Sequence, residues 1–141
     1  MSELSDLTTP ALAYLGDCVL ELCAREHLVL VEGLSTSAHL NNTALQYVTA
    51  PSQAKAMGVI EPLLTQEELA VFKRGRNVGH TNVPKRATVQ EYRRATGMEV
   101  LFGYLWASGQ RERVKQLFRI GYGIETADLQ QNIPTEESIE S

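Results

Sequence analysis

From Ala11 to Leu22 the chain reads Ala-Leu-Ala-Tyr-Leu-Gly-Asp-Cys-Val-Leu-Glu-Leu, and the fold class follows from this stretch. Its apolar side chains would surround a helix almost completely, yet the carboxylate of Asp17 stands in the middle. An ionised carboxylate that leaves water is costly unless a cation, a metal ion or several hydrogen-bond donors meet it. We therefore expect a buried Asp17 that has such a partner.

A second predicted helix repeats this pattern around Glu99, the only charged residue between Arg94 and Arg111. Two isolated carboxylates could bind one divalent cation, and a pair without imidazole or thiolate favours Mg²⁺, with Mn²⁺ as a substitute. The alternative is that an arginine or backbone donors of a neighbouring helix satisfy each carboxylate. The residues alone leave both interpretations open.

Helix signals dominate the chain and no strand alternation is evident, so we predict an all-α fold. Thr9 followed by Pro10 predicts an N-cap and a first-turn proline, and capping boxes at Thr65 and Thr88 predict two further helix starts. The predicted helices run over residues 9–31, 36–58 with an interruption at Pro51, 66–76, 88–108 and 110–120.

The net charge of the chain is −4, but the charges are unevenly distributed. Five acidic residues and no basic residue lie within residues 125–141, so the first 124 residues carry a slightly positive charge. We predict one domain over residues 1–124, followed by an acidic, disordered tail over residues 125–141.

The sequence also argues against several protein classes. The acidic N-terminus and the charges in the first apolar run predict neither a signal peptide nor a membrane helix. Cys18 and Cys23 are too far apart on one helix for a disulfide, which suits a cytoplasmic protein. No histidine or cysteine has the spacing of a zinc or di-iron site. We interpret Glu21 as structural, since Arg25 follows at helical ion-pair spacing.

Residues 73–94 contain seven of the thirteen basic residues and a single acidic one, Glu91. Glycine, asparagine and proline break the helical pattern between the third and fourth helices, and donor side chains stand among them. Such a loop suits phosphate and sugar oxygens, although a merely solvated loop is the alternative. The residues predicted to contact a nucleic-acid backbone are Lys73, Arg74, Arg76, Asn77, His80, Lys85 and Arg86.

The motif Leu15-Gly16-Asp17-x-Val19-Leu20-Glu21-Leu22, followed later by Glu99-Val100-Leu101-Phe102-Gly103, resembles the two signature helices of the ribonuclease III catalytic domain. The chain length, the segment from Arg74 to Asn77 and the missing double-stranded-RNA-binding domain resemble the mini-ribonuclease III subfamily. The resemblance covers residues 8–122.

This resemblance implies that Asp17 and Glu99 are the catalytic residues and the protein ligands of Mg²⁺. Two other acidic positions of the full-length enzymes fall here on Ala13 and Thr96. The implied site therefore has fewer protein ligands, and a second metal ion in each site does not follow.

The resemblance further implies a cytoplasmic, two-fold homodimer that hydrolyses double-stranded RNA, with the precursor of large-subunit (23S) ribosomal RNA as its substrate in ribosome biogenesis. The basic loop would then bind the RNA backbone. One alternative is a catalytically weak or inactive RNA-binding dimer of the same fold, and another is an all-α interaction scaffold without an RNA role.

The helix that carries Glu99 provides a separate argument for a dimer. Apolar side chains occupy nearly every side of it, including Met98, Phe102 and Trp106. We expect more apolar surface on this helix than one protomer covers, and therefore a subunit interface there.

Overall fold

The computed structural model describes residues 6–78 and 87–124, and every regular element within these ranges is helical. The all-α prediction is confirmed. In chain order the helices are α1 (Thr9–Glu26), α2 (Ser37–Val48), α3 (Ala50–Ile60), α4 (Gln66–Arg76), α5 (Val89–Ala107) and α6 (Arg111–Gly121). A π-helical segment, His27–Val31, continues α1, and a 3₁₀ turn, Glu61–Leu63, follows α3.

Threonine hydroxyls cap the N-termini of α1, α2, α4 and α5. Both predicted capping boxes are confirmed: Glu68 and Glu91 each exchange reciprocal hydrogen bonds with the threonine three residues earlier. The cap of α1 is Thr8 rather than the predicted Thr9. Pro10 is then the second residue of the helix, and its missing N–H costs no hydrogen bond at any position of the first turn.

The helix break predicted at Pro51 lies earlier in the structure, at Thr49. The chain leaves the helical conformation at Thr49, and Pro51 lies in the first turn of α3. A missing N–H is harmless at that position, so the proline begins a helix instead of breaking one. The continuation also runs past Gly58 to Ile60.

The central element is α5, which packs against α1, α3, α4 and α6. The side chains of Met98, Val100, Leu101, Phe102 and Leu105 are completely buried among those helices. The expectation that α5 keeps an apolar surface for a subunit interface is therefore wrong, because four helices of its own protomer surround it.

Exposed apolar side chains lie on several elements, and two of them are on the outer face of α1. Tyr14 is 77% exposed and Leu22 is 46% exposed, and the exposed Cys18 lies between them at helical spacing. None of the helices in the described ranges is long and apolar enough to cross a membrane.

Two glycines let the backbones of α1 and α5 touch. A Cβ atom at Gly16 would overlap the carbonyl oxygen of Glu99, and a Cβ atom at Gly103 would overlap the carbonyl oxygen of Leu12. Any larger residue at either position must push the two helices apart. Close packing of α4 against α5 also requires a glycine, since a Cβ atom at Gly97 would lie 2.6 Å from the Phe72 ring.

An ion pair with little exposure fastens α4 to α6. Arg113 donates to both carboxylate oxygens of Glu68 at 2.8 Å, and Glu68 is only 5% exposed. The hydrogen bond from Arg113 holds the pKa of Glu68 below its usual value. The capping carboxylate of α4 thus also joins the two helices that flank α5.

Substituting the crossing glycine tests the packing of α1 against α5. Gly103→Ala is expected to lower the free energy of unfolding by about 2 kcal/mol or more, because the added methyl group forces two backbones apart. Gly58→Ala is the matched control, since its Cβ atom meets only the end of Arg94, at 3.9 Å. The control should raise stability by roughly 0.5–1 kcal/mol through its helix propensity. Urea unfolding measures both values, and an unchanged Gly103→Ala would contradict the described contact.

Candidate active site on helices α1 and α5

The contact between α1 and α5 places the side chains of Asp17 and Glu99 together. Gly16 touches the backbone of Glu99, so the next residue of α1 projects its side chain at the same level of α5. The Asp17 carboxylate lies close enough to Glu99 to raise its pKa. The structure therefore brings together the two carboxylates that the sequence singled out.

Burial differs between the two groups, and not as the sequence suggested. Asp17 is exposed, whereas Glu99 is partly buried. The expectation of a buried Asp17 is wrong, because α1 packs on α5 through one face only and Asp17 stands at the edge of that face. The carboxyl group that loses water is the one on the central helix.

The electrostatics of the site follow from this arrangement. Burial, and next the neighbouring Asp17 carboxylate, raise the pKa of Glu99 to about 8. At neutral pH and without a cation, Glu99 therefore keeps its proton. A cation between the carboxyl groups would replace that proton and relieve the repulsion.

The positions next to the pair supply no further ligand. Ala13 has no polar side chain, and the hydroxyl of Thr96 donates to the carbonyl oxygen of Tyr92 at 3.0 Å. Within residues 6–78 and 87–124, no group of three or more His, Cys, Asp or Glu side chains could hold a metal ion. Two carboxylates, one facing solvent, fit a hard divalent cation such as Mg²⁺ that keeps most of its water ligands.

Glu21 lies one turn after Asp17 but belongs to another interaction. Its carboxylate lies 3.4 Å from the Arg25 guanidinium, and both side chains are exposed. The interpretation of Glu21 as half of a helical ion pair is confirmed.

The first part of the predicted basic loop forms the end of α4. Lys73 and Arg74 are exposed in its last turn, Arg76 is its final residue, and Asn77 is its C-cap. His80, Lys85 and Arg86 lie outside the described residues.

Arg74 is tied to the start of α1 by two hydrogen bonds. Its Nε donates to the Thr9 hydroxyl at 2.7 Å, and its Nη2 donates to the Leu7 carbonyl oxygen at 3.0 Å. The sequence offered no signal for this link. Arg74 therefore joins α4 to the start of α1, whether or not it also contacts a phosphate.

The raised pKa of Glu99 predicts how the metal-free stability depends on pH. The folded state keeps the Glu99 proton to higher pH than the unfolded chain does, so stability from the protonated form is present below about pH 4.5 and is lost as pH rises toward 8. Glu99→Gln carries no titratable proton at this position, so the variant does not lose this stability as pH rises. In EDTA, the variant should melt about 3 °C or more above the wild-type chain at pH 8, and near it at pH 4.5. Glu112→Gln on the surface of α6 is the control. If the melting temperature of Glu99→Gln rose equally at pH 4.5 and at pH 8, the described burial of Glu99 beside Asp17 would be contradicted.

The chain is similar to proteins of the ribonuclease III family. Residues 10–110 match the model of the ribonuclease III domain family. Mini-ribonuclease 3 of Brevibacillus brevis is 40% identical over 120 residues, which cover 84% of this chain and 89% of that protein. Mini-ribonuclease 3 of Desulfitobacterium hafniense is 46% identical over 118 residues, which cover 82% of this chain and 71% of that protein.

A solved structure supports the same relationship. A protein of Fusobacterium nucleatum, determined by X-ray crystallography, superimposes with a TM-score of 0.76 at 27% identity, covering 85% of this chain and 95% of that one. The two signature helices and the family match over most of the chain agree with this structural likeness. The chain belongs to the ribonuclease III family, and within it to the mini-ribonuclease III group.

Proposed function

We propose that the chain is a metal-dependent endoribonuclease that hydrolyses phosphodiester bonds of double-stranded RNA. Membership of the ribonuclease III family supports endoribonuclease activity. The proposal of a metal-dependent reaction rests on the α1–α5 crossing, where Gly16 meets the backbone of Glu99 and the Asp17 carboxylate lies close enough to raise the pKa of Glu99. Two acids held together beside solvent form a site for a divalent cation and for the phosphate that it attracts.

Each carboxylate has its own part in the proposed mechanism. The exposed Asp17 is open to an approaching phosphate, and the less exposed Glu99 fixes the position of the pair on the central helix. Release of the proton from Glu99 prepares both carboxylates for Mg²⁺ or Mn²⁺. When bound, the cation would polarise a phosphoryl oxygen and lower the pKa of a water ligand that becomes the nucleophile.

The basic residues around the end of α4 are proposed to bind the RNA backbone. The set comprises Lys73, Arg74, Arg76, Asn77, His80, Lys85 and Arg86, of which the first four lie in the described part of the chain. Contacts of this kind position a duplex without reading its sequence.

A homodimer is proposed to present two such sites to one duplex. Its support is the apolar stripe on the outer face of α1, where Tyr14, Cys18 and Leu22 are exposed. This stripe lies on the helix that carries Asp17, so pairing through it would bring both sites near the interface. It replaces α5 as the proposed contact surface.

The biological setting rests on the resemblance to mini-ribonuclease III alone. We propose a cytoplasmic enzyme that trims a paired stem of the 23S ribosomal RNA precursor. Residues 1–124 are proposed as the catalytic domain and residues 125–141 as an acidic tail.

One observation favours a second candidate, a weakly active or inactive RNA-binding dimer of the same fold. The side chains of Ala13 and Thr96 offer no carboxylate, and Thr96 directs its hydroxyl to a backbone carbonyl. The described part of the chain therefore gives the site only two acidic ligands, and its metal affinity would be low.

Neutralising the exposed carboxylate separates these two candidates. Asp17→Asn should reduce Mg²⁺-dependent cleavage of a perfectly paired RNA by about a hundredfold or more, because the cation loses its accessible ligand. Thermal stability should stay near that of the wild-type chain, since Asp17 is exposed. Full cleavage by the folded variant would refute the site. A wild-type chain that binds the duplex but never cleaves it, with either Mg²⁺ or Mn²⁺, would favour the inactive dimer.

The proposed subunit contact is tested by two matched substitutions. Leu22→Asp places a charge in the α1 stripe, and Val59→Asp places one at an equally exposed site on α3, at 46% and 47% exposure respectively. Light scattering should give twice the 15.6 kDa chain mass for the wild type and for Val59→Asp. Leu22→Asp should shift toward the single-chain mass. A wild-type monomer, or a Leu22→Asp variant that stays dimeric, would reject the stripe as the interface.

A further inference from the structure

A concave, positively charged surface lies at the corner between the end of α4 and the start of α5. No acidic side chain is among the described residues that line it. We call it the corner site. The lining residues are Arg76, Asn77, Val89, Gln90, Arg93 and Arg94.

The buried ring of Phe72 holds two of these arginines in place. The guanidinium carbon of Arg76 lies 5.8 Å from the ring centroid, and that of Arg94 lies 5.6 Å from it. The Arg76 Nε also donates to the side-chain oxygen of Asn77 at 3.2 Å. Such fixed guanidinium groups lose little conformational freedom when an anion binds.

The charges of the corner site are only partly compensated. Arg94 is neutralised by Glu61, whose carboxylate accepts a hydrogen bond from it at 2.8 Å. Neither Arg76 nor the exposed Arg93 has a carboxylate partner among the described residues. Two uncompensated guanidinium groups beside one concavity favour an anion with several acceptor oxygens, and phosphate has the matching geometry.

The geometry points to a phosphate-binding site for the RNA backbone at this corner, in which Arg93 and Gln90 of α5 act together with Arg76 and Asn77. This inference rests on the proposed function and adds two α5 residues that the basic loop did not include. Arg93 stands six residues before Glu99, about 9 Å along the helix axis. The phosphate at the corner site is therefore a different one from the phosphate that reacts.

Charge reversal with a matched control tests the corner site. The probe is a perfectly paired RNA duplex in EDTA, which prevents cleavage, with binding measured by fluorescence anisotropy at several NaCl concentrations. Arg93→Glu should weaken binding about tenfold at low salt, and Arg93→Ala should flatten the slope of log K against log salt by somewhat under one. Lys55→Glu, at an exposed position of α3, changes the net charge by the same amount and should weaken binding less than twofold.

Two further variants keep the result interpretable. Arg93→Lys retains the charge and should restore most of the affinity, whereas Gln90→Ala should weaken binding by about twofold to threefold. Melting curves establish that each variant is folded, as expected for exposed positions. If Arg93→Glu does not fold, Arg93→Ala carries the comparison.

The outcomes distinguish this inference from the proposed function. Equal weakening by Arg93→Glu and Lys55→Glu would show a general charge effect and overturn the corner site, as would an unchanged salt slope in Arg93→Ala. In either case, wild-type binding and cleavage of the duplex would leave the proposed function standing. A wild-type chain that neither binds nor cleaves the duplex would instead count against the proposed function itself.

Discussion

The backbone contact between α1 and α5 is the constraint on which the rest of the structure depends. It exists because Gly16 and Gly103 place no side chain between the two helices. That contact makes α5 the centre of the protein, since α3, α4 and α6 then enclose its remaining sides. It also fixes the distance between two carboxyl groups that the chain would otherwise keep apart, because like charges repel.

The carboxyl pair is unfavourable for the fold, and in the proposed function it is the cation site. Glu99 has lost water and faces a second acid, and these two effects raise its pKa to about 8. The surrounding core offsets this cost, helped by the Glu68–Arg113 pair that fastens α4 to α6. A cation would convert the repulsion into binding energy, which is how acidic clusters are commonly used at functional sites.

Local signals made much of this fold predictable. The threonine caps and the capping boxes at Thr65 and Thr88 placed the starts of α4 and α5 correctly. The lone acids in apolar helices predicted that Asp17 and Glu99 converge, and the fold brings them together. Burial could not be predicted, because helical periodicity shows which face is apolar but not which helix becomes central. For that reason Asp17 was expected to be buried, and α5 was expected to keep a free apolar face. The links from Arg74 to Leu7 and from Arg113 to Glu68 join residues distant in sequence and left no local signal.

The most direct test of the central claim is a crystal structure of the chain grown with Mn²⁺ and measured for anomalous scattering. If the α1–α5 crossing builds a metal site, the anomalous map should show a peak between the Asp17 and Glu99 carboxylates, with metal–oxygen distances of about 2.1 Å. The same crystals soaked with Mg²⁺ should lose the anomalous peak and keep ordered density at that position. A saturating Mn²⁺ concentration that leaves no peak between these two side chains would contradict the account.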